Sequence, residues 1–296
     1  MFEKVKKNKY GFYEVENKPT EEELNEYYSK KYYQDPTGTY QKEYSKEDVE
    51  YMRNKIAQRF LILMKYLKVS TEVKNFLDIG CGEGWALSFF KSKNWEVTGL
   101  DYSDFGCQKQ NPDCLKSLKT GDIYRNLELL ISEGKKFNVI WLDNVLEHVL
   151  DPLMLIQKCG LLLEDDGILI IDVPNDFSLI QQCLYDEGLV NKPYWVAIPD
   201  HLSYFNKEGL AFLCKDAGFV SEYFLTAYPV DFNLFNQNTN YVNDPIKGKA
   251  CHKARVKIEN ILHSISPDKT NELYQILAEM GLGREIIGFF KKQNNY

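Results

Sequence analysis

Phe76-Leu77-Asp78-Ile79-Gly80-Cys81-Gly82-Glu83-Gly84-Trp85 runs an apolar strand straight into three alternate glycines, and a helical pattern follows. Glycine is needed where a chain turns sharply and where a ligand must lie against bare backbone. In open α/β sheets ligands sit beyond the carboxyl ends of the strands, so the loop is placed where a site belongs. The next apolar run, residues 96–100, ends on Asp101. An acid there accepts hydrogen bonds from ribose hydroxyls. The plainer alternative is that the glycines only serve a tight turn.

Outward from the loop, short apolar runs alternate with helical patterns. Residues 73–79, 96–100, 137–142 and 167–173 read as strands, and 84–91, 152–163 and 207–216 as helices. Residues 103–110 and 115–120 form a weaker pair, Asp165-Asp166-Gly167 closes the 152–163 helix, and 219–227 reads as a further strand. Such alternation implies βαβ crossovers and a parallel sheet covered on both faces. Residues 228–245 are rich in Asn, Asp and Pro, two helical patterns follow (253–265 and 268–280), and 284–291 alternates like a last strand. In front of the loop, the charged, Tyr-rich first 70 or so residues carry a helix opened by Glu21, Glu22 and Glu23. A longer amphipathic stretch runs from Glu47 through Met52, Ile56, Phe60, Leu63 and Leu67.

Two adenosine ligands fit a glycine loop followed by an acid. The dinucleotide fingerprint G-x-G-x-x-G needs glycine at 85 or 87, where Trp85 and Leu87 stand. Asp78 and Glu83 also bracket the loop, which repels a pyrophosphate but favours the sulfonium and ammonium of S-adenosylmethionine. Asp78-Ile79-Gly80-Cys81-Gly82-Glu83-Gly84 resembles the E/D-x-G-x-G-x-G motif of class I S-adenosylmethionine-dependent methyltransferases. Asp101 matches that family's ribose-binding acid, and Gly121-Asp122-Ile123 resembles its adenine segment. Phe137-Asn138-Val139-Ile140-Trp141-Leu142-Asp143-Asn144-Val145-Leu146-Glu147-His148-Val149 is similar to its fourth-strand motif. Residues 167–173 match the fifth strand, and His201-Leu202-Ser203-Tyr204-Phe205 resembles a segment of the branch holding quinone and sugar methyltransferases.

The resemblance covers 73–227 plus the terminal strand. It implies a Rossmann-like α/β fold: a seven-stranded, mostly parallel sheet with helices on both faces. Residues 1–72 then form a helical appendage, 73–227 with 284–292 the cofactor-binding core, and 228–283 an inserted helical lid or acceptor-recognition segment. The implied cofactor residues are Asp78, Gly80, Cys81, Gly82, Gly84, Asp101, Tyr102, Asp122, Ile123, Asp143 and Asn144, with S-adenosyl-L-methionine as cofactor and S-adenosyl-L-homocysteine as product. There are two departures. Asn138 replaces a common Asp, which affects strand capping, and the usual hairpin between the last two strands is replaced by the 228–283 excursion.

The composition narrows the partners. At 296 residues the chain can bury a core without metal or disulfide staples. Its seven cysteines are scattered and never in C-x-x-C spacing, which reads as thiols in a reducing compartment and no zinc site. No run approaches the ~20 apolar residues of a membrane span, and no secretory signal is evident, so a cytoplasmic protein without stable membrane insertion is expected. With 43 acids against 36 bases the net charge is −7, which argues against nucleic acid. The exception is Lys247, Lys249, Lys253, Arg255 and Lys257, with no acid between 246 and 258. It is either a solvated helix face or a patch for an anionic acceptor.

Methyl transfer from a sulfonium is an in-line displacement, and a hydroxyl acceptor needs a general base. Histidine suits that role. Of four histidines, His252 and His263 lie in the excursion without motif context, and a surface role is the default. His201 is the preferred base, following a segment (193–200) that reads as a lid over the site. His148 is second, with a structural or orienting role as its competitor. Asp200 orients an imidazole only if the backbone turns suitably. Tyr32, Tyr33 and Tyr40 pack the appendage or close over the cofactor, and Trp85 reads as core. The expected acceptor is a small molecule: a sugar or phosphorylated precursor of bacterial surface polysaccharide, O- or N-methylated. The alternatives are a quinone- or lipid-precursor O-methyltransferase and a non-catalytic S-adenosylmethionine-binding protein. The sequence leaves the oligomeric state open.

Overall fold

In a computed structural model, which describes residues 4–29, 43–68 and 73–293, a short hairpin precedes the first helix. Strand β1 (Val5–Lys7) pairs antiparallel with β2 (Tyr13–Val15). Asn8 and Gly11 turn the chain between them, Gly11 at φ +92°, a left-handed conformation that glycine adopts freely. The helical appendage expected from Glu21 onward follows it, so the hairpin is an addition in front of the expected helices. Three-residue strands are too short for period-2 alternation to register, and their pairing is decided by Phe12 packing on Phe205 at 4.4 Å.

Helices α1 (Glu21–Ser29) and α2 (Lys46–Tyr66) follow. Each opens on a reciprocal capping box, Thr20 with Glu23 and Ser45 with Asp48, which satisfies two otherwise orphaned N–H groups. Tyr32, Tyr33 and Tyr40 lie outside the described residues.

The main body alternates β3 (Asn75–Ile79), α3 (Trp85–Ser92), β4 (Glu96–Asp101), α4 (Phe105–Gln110), β5 (Leu118–Thr120) and α5 (Ile123–Ser132). It continues with β6 (Phe137–Asp143), α6 (Pro152–Leu162), β7 (Leu163–Pro174), α7 (Leu179–Asp186), β8 (Ser203–Tyr204) and α8 (Lys207–Asp216). Last come β9 (Phe219–Thr226), α9 (Gly248–Ile265), α10 (Pro267–Glu279) and β10 (Glu285–Lys292). The seven-stranded sheet has the order β5-β4-β3-β6-β7-β10-β9. Only β10 runs antiparallel, pairing with both β7 and β9. The chain winds one way from β3 and then the other way from β6, so the switch point lies between these two strands, where open sheets bind ligands.

Alternation along the strands covers both faces. Leu77, Ile79, Ile140 and Leu142 enter one core, and Phe76, Val139, Trp141 and Ile170 the other. Asn138 buries its side chain at the sheet's lower edge, where its Oδ1 accepts the Asn75 N–H at 2.7 Å. The Asp165-Asp166-Gly167 turn expected after the 152–163 helix falls inside β7, because helix and strand meet directly at Leu163. The ladder with β6 jumps from Leu163 to Ile168, leaving the acids exposed. A Cβ on Gly167 would sit 2.8 Å from Leu163 Cγ, so the glycine permits the kink.

The chain between β9 and β10 packs α10 on β9 and α9 on α2. Asn260 donates to the Glu47 carbonyl at 3.0 Å, and Asn271 to that of Gln58 at 3.0 Å. All seven cysteines are unpaired thiols. Among the described residues, no helix is long and apolar enough to cross a membrane.

Candidate active site

The strand-to-helix turn after β3 needs Gly80, Gly82 and Gly84 at φ +73°, +50° and +74°. A Cβ on Gly80 would lie 2.4 Å from Val145 Cγ2, so only glycine lets the post-β6 segment close against the loop. Asp101, at the tip of β4, anchors the turn: its carboxylate accepts the Gly82 N–H at 2.8 Å and the Ser103 N–H at 3.1 Å. Burial pushes this carboxyl up, while those backbone donors pull it down. Glu83 faces away from the loop's interior, accepting from Tyr44 at 2.9 Å and from the Trp85 indole at 2.8 Å. The half-buried Trp85 thereby links the loop to the segment that leads into α2.

A cavity of about 390 Å³ opens at the carboxyl ends of β3, β4, β5 and β6. Gly80, Gly82, Asp101 and Tyr102 form one side, and Asp122, Ile123 and Asn144 another. Asp122 caps α5 by accepting the Arg125 N–H at 2.7 Å and also receives the Tyr102 hydroxyl at 3.3 Å. Asn144 sits at φ +54°, a left-handed turn that asparagine tolerates. The other expected cofactor residues are near the cavity but outside its wall. Asp78 is buried beneath the loop, where burial and then the neighbouring Asp143 and Asp101 hold its carboxyl well up. Cys81 and Gly84 are buried behind the loop. Asp143 is engaged from below by Arg59 at 2.7 Å and receives the Asn144 amide at 2.7 Å.

The remaining wall comes from residues outside the expected cofactor set. Leu24 and Glu21 on α1 close one side, and Val145, Val149, Leu150 and Met154 give an apolar floor. Tyr124 also lines it, its hydroxyl buried and without a hydrogen-bond partner among the described residues. Lys158 reaches in from α6 but pairs with Glu128 at 3.1 Å. The available signal was proximity to the Asp122-Ile123 and Glu147-His148-Val149 segments.

His148 lines the cavity; His201 does not, and its ring packs edge-on against His148 at 4.9 Å between centroids. The segment 193–200 turns so that the Asp200 carbonyl accepts from His148 Nδ1 at 2.7 Å, with the Asp200 carboxylate 3.8 Å away. Asp200 therefore orients His148, not the histidine beside it in sequence. A carbonyl can only accept, so Nδ1 carries the proton and Nε2 of the neutral ring is the basic nitrogen. Nε2 lies 3.8 Å from Glu147 Oε1. Glu147 is fully buried with neither oxygen bonded among the described residues, and burial pushes its carboxyl well up. Glu147, His148 and His201 bring one ligand-type atom each to within 4.8 Å of one another.

Beneath the site runs an ion network that no motif announced. Arg59, on α2, pairs with Asp143 and with the buried Asp172, and lies 3.6 Å from Glu285. Lys55 meets Glu285 at 3.0 Å. Burial opposes charge on Glu285, but Lys55, Arg59 and Arg255 outweigh it and hold the carboxyl down at about 2. Of the basic stretch, Arg255 stacks over Tyr51 and Lys247 binds Asp244 and the Gln237 carbonyl. None of residues 228–283 lines the main cavity.

A family model described as a methyltransferase domain matches residues 49–222, more than half of the chain. The ubiquinone biosynthesis O-methyltransferase of Coxiella burnetii is 27% identical over 118 residues, which cover 38% of this chain and 50% of that protein. Its namesake from Actinobacillus pleuropneumoniae is 33% identical over 109 residues, covering 34% and 46%. The chain thus spans about half the length of these curated relatives. The fold is shared with the 1,6-didemethyltoxoflavin-N1-methyltransferase of Burkholderia thailandensis, solved with 1,6-didemethyltoxoflavin and S-adenosylhomocysteine. The TM-score is 0.51 at 11% identity, covering 96% of this chain and 95% of that one.

Proposed function

The chain belongs to the methyltransferase-domain family, and from that premise we propose that it transfers a methyl group from S-adenosylmethionine to a hydroxyl of a small, largely apolar acceptor. The observation that carries this reading is the charge of the cavity. Among the described residues, Glu21, Asp101, Asp122 and Glu128 line it against Lys158 alone, which is itself paired with Glu128. A pyrophosphate would be repelled there, whereas a sulfonium and an ammonium are attracted. The bare Gly80 and Gly82 backbone and the orphaned Tyr124 hydroxyl offer further ligand contacts.

Bound S-adenosylmethionine would supply an electrophilic methyl with a neutral thioether as leaving group. Asp101 would accept the ribose hydroxyls, Asp122 and Ile123 would flank the adenine, and the Gly80–Gly82 turn would lie along the amino-acid end. Leu24, Val145, Val149 and Leu150 exclude water from the reacting centre. His148 Nε2 takes the acceptor proton. The charge that develops on its ring is met at Nδ1 by the Asp200 carbonyl and carboxylate. His201, packed on that ring, is a positioning residue and yields the role of base to His148.

For the acceptor, the apolar floor and the similarity to ubiquinone biosynthesis O-methyltransferases favour a quinone-type phenol. The sugar or phosphorylated precursor follows from the branch resemblance alone, and the basic stretch expected to meet its phosphate lies outside the cavity. The 228–283 segment acts on this reading as a brace for α2 instead of a lid. Calorimetry with S-adenosylhomocysteine and with NAD tests the cofactor: tight NAD binding without response to the sulfur ligand overturns the proposal. His148→Ala should lower kcat on a catechol acceptor by roughly 10²–10⁴-fold, with S-adenosylhomocysteine affinity nearly unchanged. Unaltered turnover removes His148 as base.

A further inference from the structure

Helix α9 has one face committed and one face open. Its inner side is fixed on α2: Cys251, Val256, Glu259 and Asn260 are buried, Asn260 is bonded to Glu47 and Asn54, and His252 lies 3.3 Å from Asp48. Those contacts set the helix's rotation, so the outward residues cannot turn in. At 100° per residue the outward half divides into two parallel stripes. Lys249, Lys253 and Lys257 (i, i+4, i+8) form one, all exposed and without an ion pair among the described residues. Ile258, Ile261 and Ile265 (i, i+3, i+7) form the other, 38%, 47% and 75% exposed, with the small Ala250 and Ala254 along the same edge. Ile246, in the turn just before the helix, is 89% exposed as well.

The neighbouring helix continues the pattern. On α10, Leu273 and Ile276 are exposed together with Met280 just beyond it. The acids there are already engaged: Asp268 with Lys65 at 3.0 Å, Glu272 with Lys269 at 2.6 Å, and Glu279 with the Gln275 amide at 3.1 Å.

We propose that the α9 face is a peripheral docking surface for an anionic phospholipid bilayer. A row of lysines beside a row of isoleucines matches a headgroup layer above acyl chains, with the phosphates meeting the ammonium groups and the isoleucines entering the interface. A twofold copy of the chain would set lysines against lysines if the helices ran antiparallel and against isoleucines if they ran parallel, and a nucleic acid would have no use for the isoleucines. The whole-chain charge of −7 makes the match local. The surface stands apart from the catalytic reading, since none of it lines the main cavity.

The test is co-sedimentation of the full chain with vesicles of phosphatidylcholine alone and of phosphatidylcholine mixed with phosphatidylglycerol. The expected result is partition onto the mixed vesicles only, weakened by salt. The triple variant K249E/K253E/K257E should bind at least about 100-fold more weakly. I258S/I261S/I265S should also lose binding while keeping the circular dichroism spectrum, Tm and S-adenosylhomocysteine affinity of the parent. Equal partition onto both vesicles, no partition, or full binding by the charge-reversed variant overturns the proposal. So does a dimer in sedimentation that I258S/I261S/I265S converts to monomer, because the occupant is then a second copy.

Discussion

Replacing Arg59 by methionine removes the cation on which the floor of the site is built. The Arg59 side chain is 3% exposed and that of Asp172 fully buried, so water cannot re-solvate the partner left behind. Breaking a buried pair from one side costs about 3–5 kcal/mol. Loss of the guanidinium over the Trp141 ring, 5.4 Å from its centroid, adds roughly 1 kcal/mol. Methionine keeps most of the aliphatic volume, so a cavity contributes little. The expected loss is about 4–6 kcal/mol, roughly a quarter or more of the stability of an ordinary domain. Urea unfolding followed by circular dichroism measures it. The double variant R59M/D172L should recover at least half of the loss, because an apolar pair replaces the buried ions without leaving one uncompensated. S-adenosylhomocysteine affinity should also fall in the single variant, since Asp143 loses its anchor beside Asn144. A loss under about 1 kcal/mol in R59M, or a double variant no better than the single, would refute the claim that this network carries the α2 attachment.

Glu285, held at about 2 in the fold against an ordinary 4.5, contributes stability that is present above pH 4.5 and lost as pH falls toward 2. The shift corresponds to about 3 kcal/mol, and Glu285→Gln should remove that acid limb from an unfolding-versus-pH curve while destabilising the protein at pH 7. Asp101→Ala should weaken S-adenosylhomocysteine binding at least ~100-fold in calorimetry through the lost charge-assisted bonds to ribose; affinity within threefold would remove Asp101 from the cofactor site. Gly80→Ala meets both a left-handed φ and Val145 at 2.4 Å, whereas Gly188→Ala, at φ +69° with open space, meets the first alone. The Gly188 variant should lose ~1–2 kcal/mol, and the Gly80 variant more together with cofactor affinity, read by thermal shift.

Much of the fold could be read from local constraints. Three glycines after an apolar strand, an acid ending the next strand, and period-2 runs from residue 73 onward depend on neighbours a few positions away. Backbone sterics and burial on two faces leave few other outcomes. The seven-stranded, mostly parallel sheet came with the family resemblance and was met by the structure, which added the strand order and the antiparallel β10. The N-terminal hairpin was illegible because three-residue strands carry too little pattern, and its partner β8 lies nearly two hundred residues on.

The site divides along the same line. Sequence alone determined that a cofactor loop exists, that Asp101 ends β4 beside it, and that His148 follows β6. Only the tertiary structure decided which of those side chains face the cavity. Asp78, Cys81 and Gly84 are one or two residues from the wall yet buried away from it, since successive residues of a strand or turn point in different directions. Of the two histidines, His148 lines the cavity and His201 packs beside it, and the 193–200 segment delivers the Asp200 carbonyl to the former. The Arg59–Asp143–Asp172–Glu285 network joins four positions that only the closed fold brings together. The lysines of α9 turned outward because buried contacts with α2 set that helix's rotation. Local sterics and periodicity are written residue by residue along a chain, whereas the direction of a side chain depends on everything that packs behind it.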